Sequence, residues 1–379
     1  MGAVVKLKHT YYAGSAVSVY DQFVAVHLAV TSLSGAQTVD GAHGGPAFLA
    51  WHREYLRRFE VALQSVDPRV TIPYWNWGLG PIAETTAIFV ADKIGPMGSG
   101  GASGFEVGTG YLAQAPNTVN PLGWAIRQEL QPLGAALQRN KALDTGAGWP
   151  TVTSVGSALG QGAYHLFRPA LEQSPHHNQI HVRVGRDMAR MTSPNDPVFW
   201  LHHAQVDRLW AKWQETHPGL PNYNPMQSGG VGHRANDMMW PWDGGASKTT
   251  ILGIAQLLPS YAGTDIVRCR DVIDHRALGY CYDDEAGCPC ENRVIEPTTM
   301  IRGEEGPSAV WAEEPPTTLR FGEEEPVTTL ALGEEGPITR VEDGPITRAE
   351  DIVLTQREDP PGFVPPRRRG GGGGPFGDF

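Results

Sequence analysis

The chain has 379 residues and a formal net charge of −11. Residues 291–379 hold 18 acidic and 9 basic side chains, whereas residues 1–290 hold 23 and 21, so the acidity belongs to the C-terminal part. A near-neutral body excludes a strongly basic nucleic-acid surface, and no apolar run approaches membrane-span length, so neither nucleic acid nor membrane is an expected partner.

The first residues, MGAVVKLKHTYY, carry basic groups with no apolar stretch behind them, which does not read as a secretory signal. Synthesis in the cytoplasm is expected, with any export left to a partner protein. Tyr20–Val30, YDQFVAVHLAV, repeats apolar residues at helical spacing and reads as a buried helix. Pro46 suits a first helical turn, and the pattern that follows, AFLAWHREYLRRFEVALQSV, stops near Asp67-Pro68. IPYWNW (Ile72–Trp77) is a compact aromatic segment. Residues 78–123 are rich in Gly, Ala and Pro and read as long irregular connections. Helical patterns return at Tyr164–Leu171 and His177–Val184. Asn195-Asp196-Pro197 then opens a strong helix, VFWLHHAQVDRLWAKWQ, with a polar cap followed by Pro. The expectation is a mainly α fold, a four-helix bundle with long loops.

Four cysteines, Cys269, Cys281, Cys288 and Cys290, are too few for a disulfide scaffold and fit an intracellular site of synthesis. After Cys290 the composition turns to Pro, Gly, Glu and Thr and ends PPRRRGGGGGPFGDF. Such a segment buries too little apolar area to offset its ordering entropy. The expected division is therefore a body, 1–290, and a disordered acidic tail, 291–379.

Six of the 13 histidines fall into two groups of three: His27, His43 and His52, then His177, His181 and His203. His177 and His181 are i,i+4 neighbours, so a helix points both rings the same way. His27, His52 and His203 lie on other predicted helices. Histidines on facing helices of a bundle can meet in its interior and hold a metal. All-imidazole ligation with no thiolate or carboxylate close by suits copper or zinc. His9, His165, His217, His233 and His275 have no such partners and read as ordinary histidines.

HGGPAFLAWHREYLRRFE (His43–Glu60) and SPNDPVFWLHHAQVDRLWAKWQ (Ser193–Gln214) resemble the two copper-binding signatures of the tyrosinase family. IPYWNW resembles that family's aromatic segment, with Asn76 where Asp is usual. The resemblance spans roughly residues 5–285. It implies two copper ions, the first held by His27, His43 and His52 and the second by His177, His181 and His203. In the doublet His202-His203 the family pattern selects His203 and leaves His202 as an orienting neighbour. His176, beside His177, is expected either near the site or on the surface. The resemblance further implies a water held by Asn178, directly after His177, together with Glu172 upstream. Phe199 resembles the aromatic packed against the first-copper histidines. Many relatives form a Cys–His thioether beside the second ligand, but Ala42 and Gly44 flank His43 and exclude one here. Tyr280-Cys281-Tyr282 resembles the tyrosine motif closing the catalytic domain, and from the residues alone reads as exposed strand aromatics. Cys288-Pro-Cys290 is either a Cu(I)-capturing pair or an inert one.

The implied activity is copper-dependent hydroxylation of a phenol and oxidation of an o-diphenol to an o-quinone, with dioxygen as co-substrate. The alternatives are an o-aminophenol or catechol oxidase without strong monophenol hydroxylation, and a hemocyanin-like oxygen carrier. Relatives often use a separate copper-delivering helper protein.

The tail repeats Thr-Thr-x-x-x-x-Glu-Glu at 298–305, 317–324 and 328–335. The spacing resembles core repeats of plesiocin-like graspetides, in which an ATP-grasp ligase joins Thr and Glu side chains as esters. The bland alternative is an unmodified acidic linker.

Overall fold

Ser18 starts the first long helix by accepting the backbone N–H of Asp21 at 3.1 Å, while Asp21 pairs with the buried Lys8 ammonium at 2.5 Å. A polar cap and an anion in the first turn both satisfy the unpaired N–H groups there. The computed structural model describes residues 1–288 apart from 14, 35–39, 132, 220–222, 224–231 and 260–263, together with the backbone of 318–320 and 353–356.

Eight α-helices are seen among the described residues: α1 (Gly2–Lys8), α2 (Val19–Val30), α3 (Phe48–Gln64), α4 (Ala83–Thr86), α5 (Val152–Leu159), α6 (Tyr164–Glu172), α7 (His177–Val184) and α8 (Val198–Thr216). The fold is mainly α; α2, α3, α6, α7 and α8 fall on the five segments anticipated from their helical pattern, and α2, α3, α7 and α8 carry the grouped histidines. Helix α3 starts at Phe48 rather than Pro46, and α8 at Val198 after a 3₁₀ turn over Ser193–Asn195. The short helices α1, α4 and α5 were not legible, because none carries a long apolar stripe.

Aromatic side chains lock the bundle. Phe59 of α3 stacks on Trp200 of α8 with centroids 3.6 Å apart, and Tyr20 and Phe23 of α2 meet the same pair edge-on. The Tyr55 hydroxyl donates to the carbonyl of Phe23 at 2.6 Å, so even the polar end of this core residue is satisfied. Asp196 accepts from Arg139 and from the N–H of Val198 at the start of α8. Arg139 in turn donates to the carbonyls of Ile94, Gly95 and Pro96, so one buried ion pair ties a long connection to the helix start. IPYWNW lies along α8: Trp75 N–H bonds Leu201 O, and Asn76 Oδ1 accepts from Gln205.

Strands are short: β1 (Thr10–Tyr12), β2 (Leu33–Ser34), β3 (Met238–Asp243), β4 (Lys248–Thr249), β5 (Ile266–Arg268), β6 (Thr318–Arg320) and β7 (Val353–Gln356). They pair antiparallel as β1–β7–β6, β2–β4 and β3–β5. The paired backbone at β6 and β7 was not anticipated from the tail's composition. The rest of the expected disordered tail, including most of every repeat, lies outside the described residues. No helix among the described residues is long and apolar enough to cross a membrane.

Cys281 and Cys288 form a disulfide. This corrects the reading of Cys288-Pro-Cys290 as a Cu(I)-capturing pair, since the Cys288 sulfur is already bonded; Cys290 lies outside the described residues. The same segment carries Tyr280 and Tyr282, whose hydroxyls both donate to Asp207 Oδ2 of α8, at 2.7 and 2.6 Å. They are docked side chains in irregular backbone rather than exposed strand aromatics. The disulfide thus closes a short loop clamped on α8. Replacing both cysteines by Ser is expected to cost about 2 kcal/mol, the loop-closure value for so short a ring, read as a lower thermal midpoint of the oxidised protein.

Candidate metal centre

Seven histidines converge between the helices. One group is His27, His43 and His52; the other is His177, His181, His202 and His203. Within each group the candidate ligand atoms all lie within 4.8 Å of one another. His27 comes from α2, His52 from α3, His177 and His181 from one face of α7, and His202 and His203 from α8. His43 alone sits on a loop. The two groups touch where His52 stacks on His203, with centroids 4.2 Å apart and planes 11° apart. Phe199 packs against both groups, 5.0 Å from His27 and 4.1 Å from His203.

The outer ring nitrogens of five of these histidines are held, while that of His203 is buried without a partner. His27 Nδ1 donates to Met191 O at 2.8 Å, His52 Nδ1 to Phe48 O at 2.8 Å, and His181 Nδ1 to Met188 O at 2.7 Å. His177 Nδ1 lies 3.2 Å from Glu172 O and 2.9 Å from Asn178 Oδ1. His43 Nδ1 faces the carboxylate of Asp40, with both oxygens at 3.1 Å. A proton fixed on Nδ1 leaves the Nε2 lone pair facing inward. His27 Nε2 and His52 Nε2 are buried and have no hydrogen-bond partner, while the Nε2 atoms of His177 and His203 stand 3.1 and 3.3 Å from that of His181. Orphaned, inward-facing imidazole nitrogens are a donor set that fits metal ions.

Burial and the neighbouring rings push His27, His52, His177 and His203 well below the ordinary histidine range. Burial lowers His181 to about 4, against the raising effect of its bond to Met188. The rings are therefore neutral near pH 7, the form that binds metals.

His202 differs. Its Nδ1 accepts the indole N–H of Trp77 at 2.9 Å, so that nitrogen carries no proton and Nε2 does. A protonated Nε2 has no lone pair to offer a metal. His202 stacks on His177 at 5.1 Å, bracing that ring. Trp77→Phe is expected to leave this buried nitrogen unpaired and cost about 1–3 kcal/mol in denaturant unfolding of the metal-free protein.

His176 is buried, with Nδ1 on Ala170 O at 2.8 Å and Nε2 near Ser154 Oγ at 3.2 Å; it ties α6 to α5 and is not on the surface. Glu172 is buried, and its carboxylate accepts from Arg168 and, at 2.6 Å, from the N–H of Gly44. Asn178 is exposed at the start of α7. Sequence reasoning missed Asp40 and the donor role of Trp77. Trp77 was visible only as part of an aromatic segment, and Asp40 only as an acid three residues before His43.

Paired imidazole groups facing each other across four helices, with no thiolate or carboxylate in either, define a dinuclear type-3 copper protein. A family model described as the common central domain of tyrosinase matches residues 17–216, and the chain belongs to the tyrosinase family. Its cofactor is two copper ions, and the histidine groups fit them. The chain is 39% identical over 239 residues to a tyrosinase of Streptomyces glaucescens, spanning 59% of this chain and 82% of that one. It is 31% identical over 243 residues to grixazone synthase of Streptomyces griseus, spanning 55% and 78%. Among solved structures, a functional unit of octopus hemocyanin aligns with a TM-score of 0.48 and 19% identity, covering 74% of this chain and 63% of that chain.

Proposed function

We propose that the chain is a type-3 copper oxidase that hydroxylates monophenols and oxidises o-diphenols to o-quinones with dioxygen, its catalytic body spanning 1–290. The observation that carries this is the pair of inward-facing imidazole groups joined at His52 and His203. His27, His43 and His52 hold one copper; His177, His181 and His203 hold the other. When bound, the copper pair supplies oxygen activation and the electron exchange with the phenol. The protein's own part is geometric. Carbonyls of Met191, Phe48 and Met188 aim three rings, and Trp77 keeps His202 out of the ligand set. His43 and His181 retain partial exposure, which leaves one side of the centre open to a planar substrate.

A phenol gives up a proton whose ordinary pKa is about 10. Asn178 and Glu172 hold the water that receives it in this reading, supported by their place beside His177, whose Nδ1 faces the Asn178 side-chain oxygen and the main-chain carbonyl of Glu172. The Glu172 carboxylate is also bonded to Arg168 and Gly44, so it braces the His43 loop as well.

Supplying L-tyrosine, a catechol and an o-aminophenol to the copper-loaded protein tests the reading. Quinone colour from L-tyrosine supports it. Turnover of only the catechol or the o-aminophenol supports the second reading, an oxidase without strong monophenol hydroxylation. Oxygen uptake with no turnover of any of the three overturns both in favour of an oxygen carrier.

A separate copper-delivering protein belongs to the same proposal, supported by the partly exposed edge at His43. The tail repeats are proposed as substrates of an ATP-grasp ligase, on the strength of their regular hydroxyl and carboxylate spacing. Co-expression with such a ligase and intact-mass measurement decides this: each ester removes the mass of one water, and an unchanged mass leaves the tail an unmodified linker.

A further inference from the structure

His43 is the one proposed ligand that no helix positions. It lies in a tight loop, Asp40–Gly45, whose Gly44 has φ +66°, in the left-handed region that favours glycine. One main-chain bond, from Gly41 N–H to the Val30 carbonyl at the end of α2 at 2.9 Å, ties the loop to a helix, and side-chain oxygens hold the part that carries His43. Asp40 Oδ1 accepts the N–H of Ala42 and the N–H of His43, each at 2.9 Å. Both Asp40 oxygens also stand 3.1 Å from His43 Nδ1. On the far side Gly44 N–H is taken by Glu172.

The other held rings have neutral partners. Nδ1 of His27, His52 and His181 meets a backbone carbonyl, and that of His177 meets a carbonyl and an amide oxygen. Only His43 donates to an anion. A carboxylate on the outer N–H of a ligating imidazole fixes its tautomer and ring orientation and strengthens its inner nitrogen as a donor; losing such a partner typically costs about 10–100-fold in metal affinity. The loop ligand, which would otherwise be the most weakly fixed of its group, thus has the strongest orienting contact.

We infer that Asp40 is a positioning residue for the first copper: it sets the direction and donor strength of His43 and so governs how tightly that ion, and not the second, is held. This rests on the assignment of His43 as a ligand. The consequence is an asymmetric pair, in which the first site's affinity depends on one partly exposed carboxylate at the edge of the centre, with side-chain exposure of 27%.

The test is Cu(I) affinity by chelator competition on the full chain, one site at a time. In a His177→Ala background only the first group remains intact. There Asp40→Asn, which keeps an oxygen for the two backbone N–H groups but removes the charge, is expected to weaken binding by about 10-fold or more, and Asp40→Ala by up to about 100-fold. In a His52→Ala background, where the second group remains, both Asp40 variants are expected to bind as the parent does. Parental affinity of Asp40→Asn at the first site, or equal losses at both sites, overturns the inference. His43→Ala is the reference in the first background: if it binds copper like its parent, the ligand assignment itself fails. If it loses copper while Asp40→Asn does not, only the role of Asp40 fails.

Discussion

Replacing His181 with Ala is expected to remove the second copper and lower oxidase turnover by about 10³-fold or more, the several kcal/mol that a metal's charge stabilisation supplies. His181 is central to its group: its Nε2 lies 3.1 Å from that of His177 and 3.3 Å from that of His203. Removing it leaves two nitrogens, too few to close the site, and no other free imidazole lies in the group, because Trp77 donates to His202. Copper content per chain and catechol turnover check this together. The fold should survive, since His181 retains solvent contact and its outer bond reaches only the Met188 carbonyl. A variant that keeps both coppers and parental turnover would refute the site.

The second large effect is on stability. Asp207→Ala is expected to destabilise the protein by about 3–5 kcal/mol, the cost of leaving a buried charge without its partner. Arg53 and Asp207 are both buried and meet at 2.6 Å, and the guanidinium also lies 3.7 Å over the Trp210 ring. Asp207 takes the hydroxyls of Tyr280 and Tyr282 as well, and burial followed by the Asp207 charge pushes both phenols well above their ordinary range. One deletion therefore strands three donors. A thermal midpoint lower by roughly 10 °C follows from the usual conversion for domains above 150 residues. The melt should be compared at fixed copper content, since bound metal stabilises by mass action. Turnover of the copper-loaded variant at low temperature should remain near parental, because Asp207 touches no proposed ligand.

The helices that carry the site were legible because they are long and their apolar residues recur at helical spacing: Tyr20–Val30, the run after Pro46, His177–Val184 and the run after Pro197. Their histidines were legible for the same reason, as residues placed on predicted inner faces. What stayed hidden was whatever depends on contacts distant in sequence. Nothing near Asp207 in the chain announces that Arg53 and two tyrosines 73 and 75 residues later will converge on it. The Cys281–Cys288 bond was obscured because Cys288-Pro-Cys290 offered a nearer pairing. Asp40 was overlooked because attention to ligand spacing passes over residues that only orient a ligand. In the doublet His202-His203 the residues alone could not choose, and it is the Trp77 indole, 125 positions from His202, that separates the proposed ligand from its neighbour.

Three proposed ligands are aimed by main-chain carbonyls, at Met191, Phe48 and Met188. A carbonyl is common to all twenty amino acids, so its hold on a ring survives a change of the side chain it belongs to. Met191 shows what this permits: its oxygen fixes His27, while the residue itself is 48% exposed. The outward half of such a residue is free to vary, and the inward half keeps the ring's direction constant. Descendants of this chain could therefore change the side chain at this position without relearning how to hold copper.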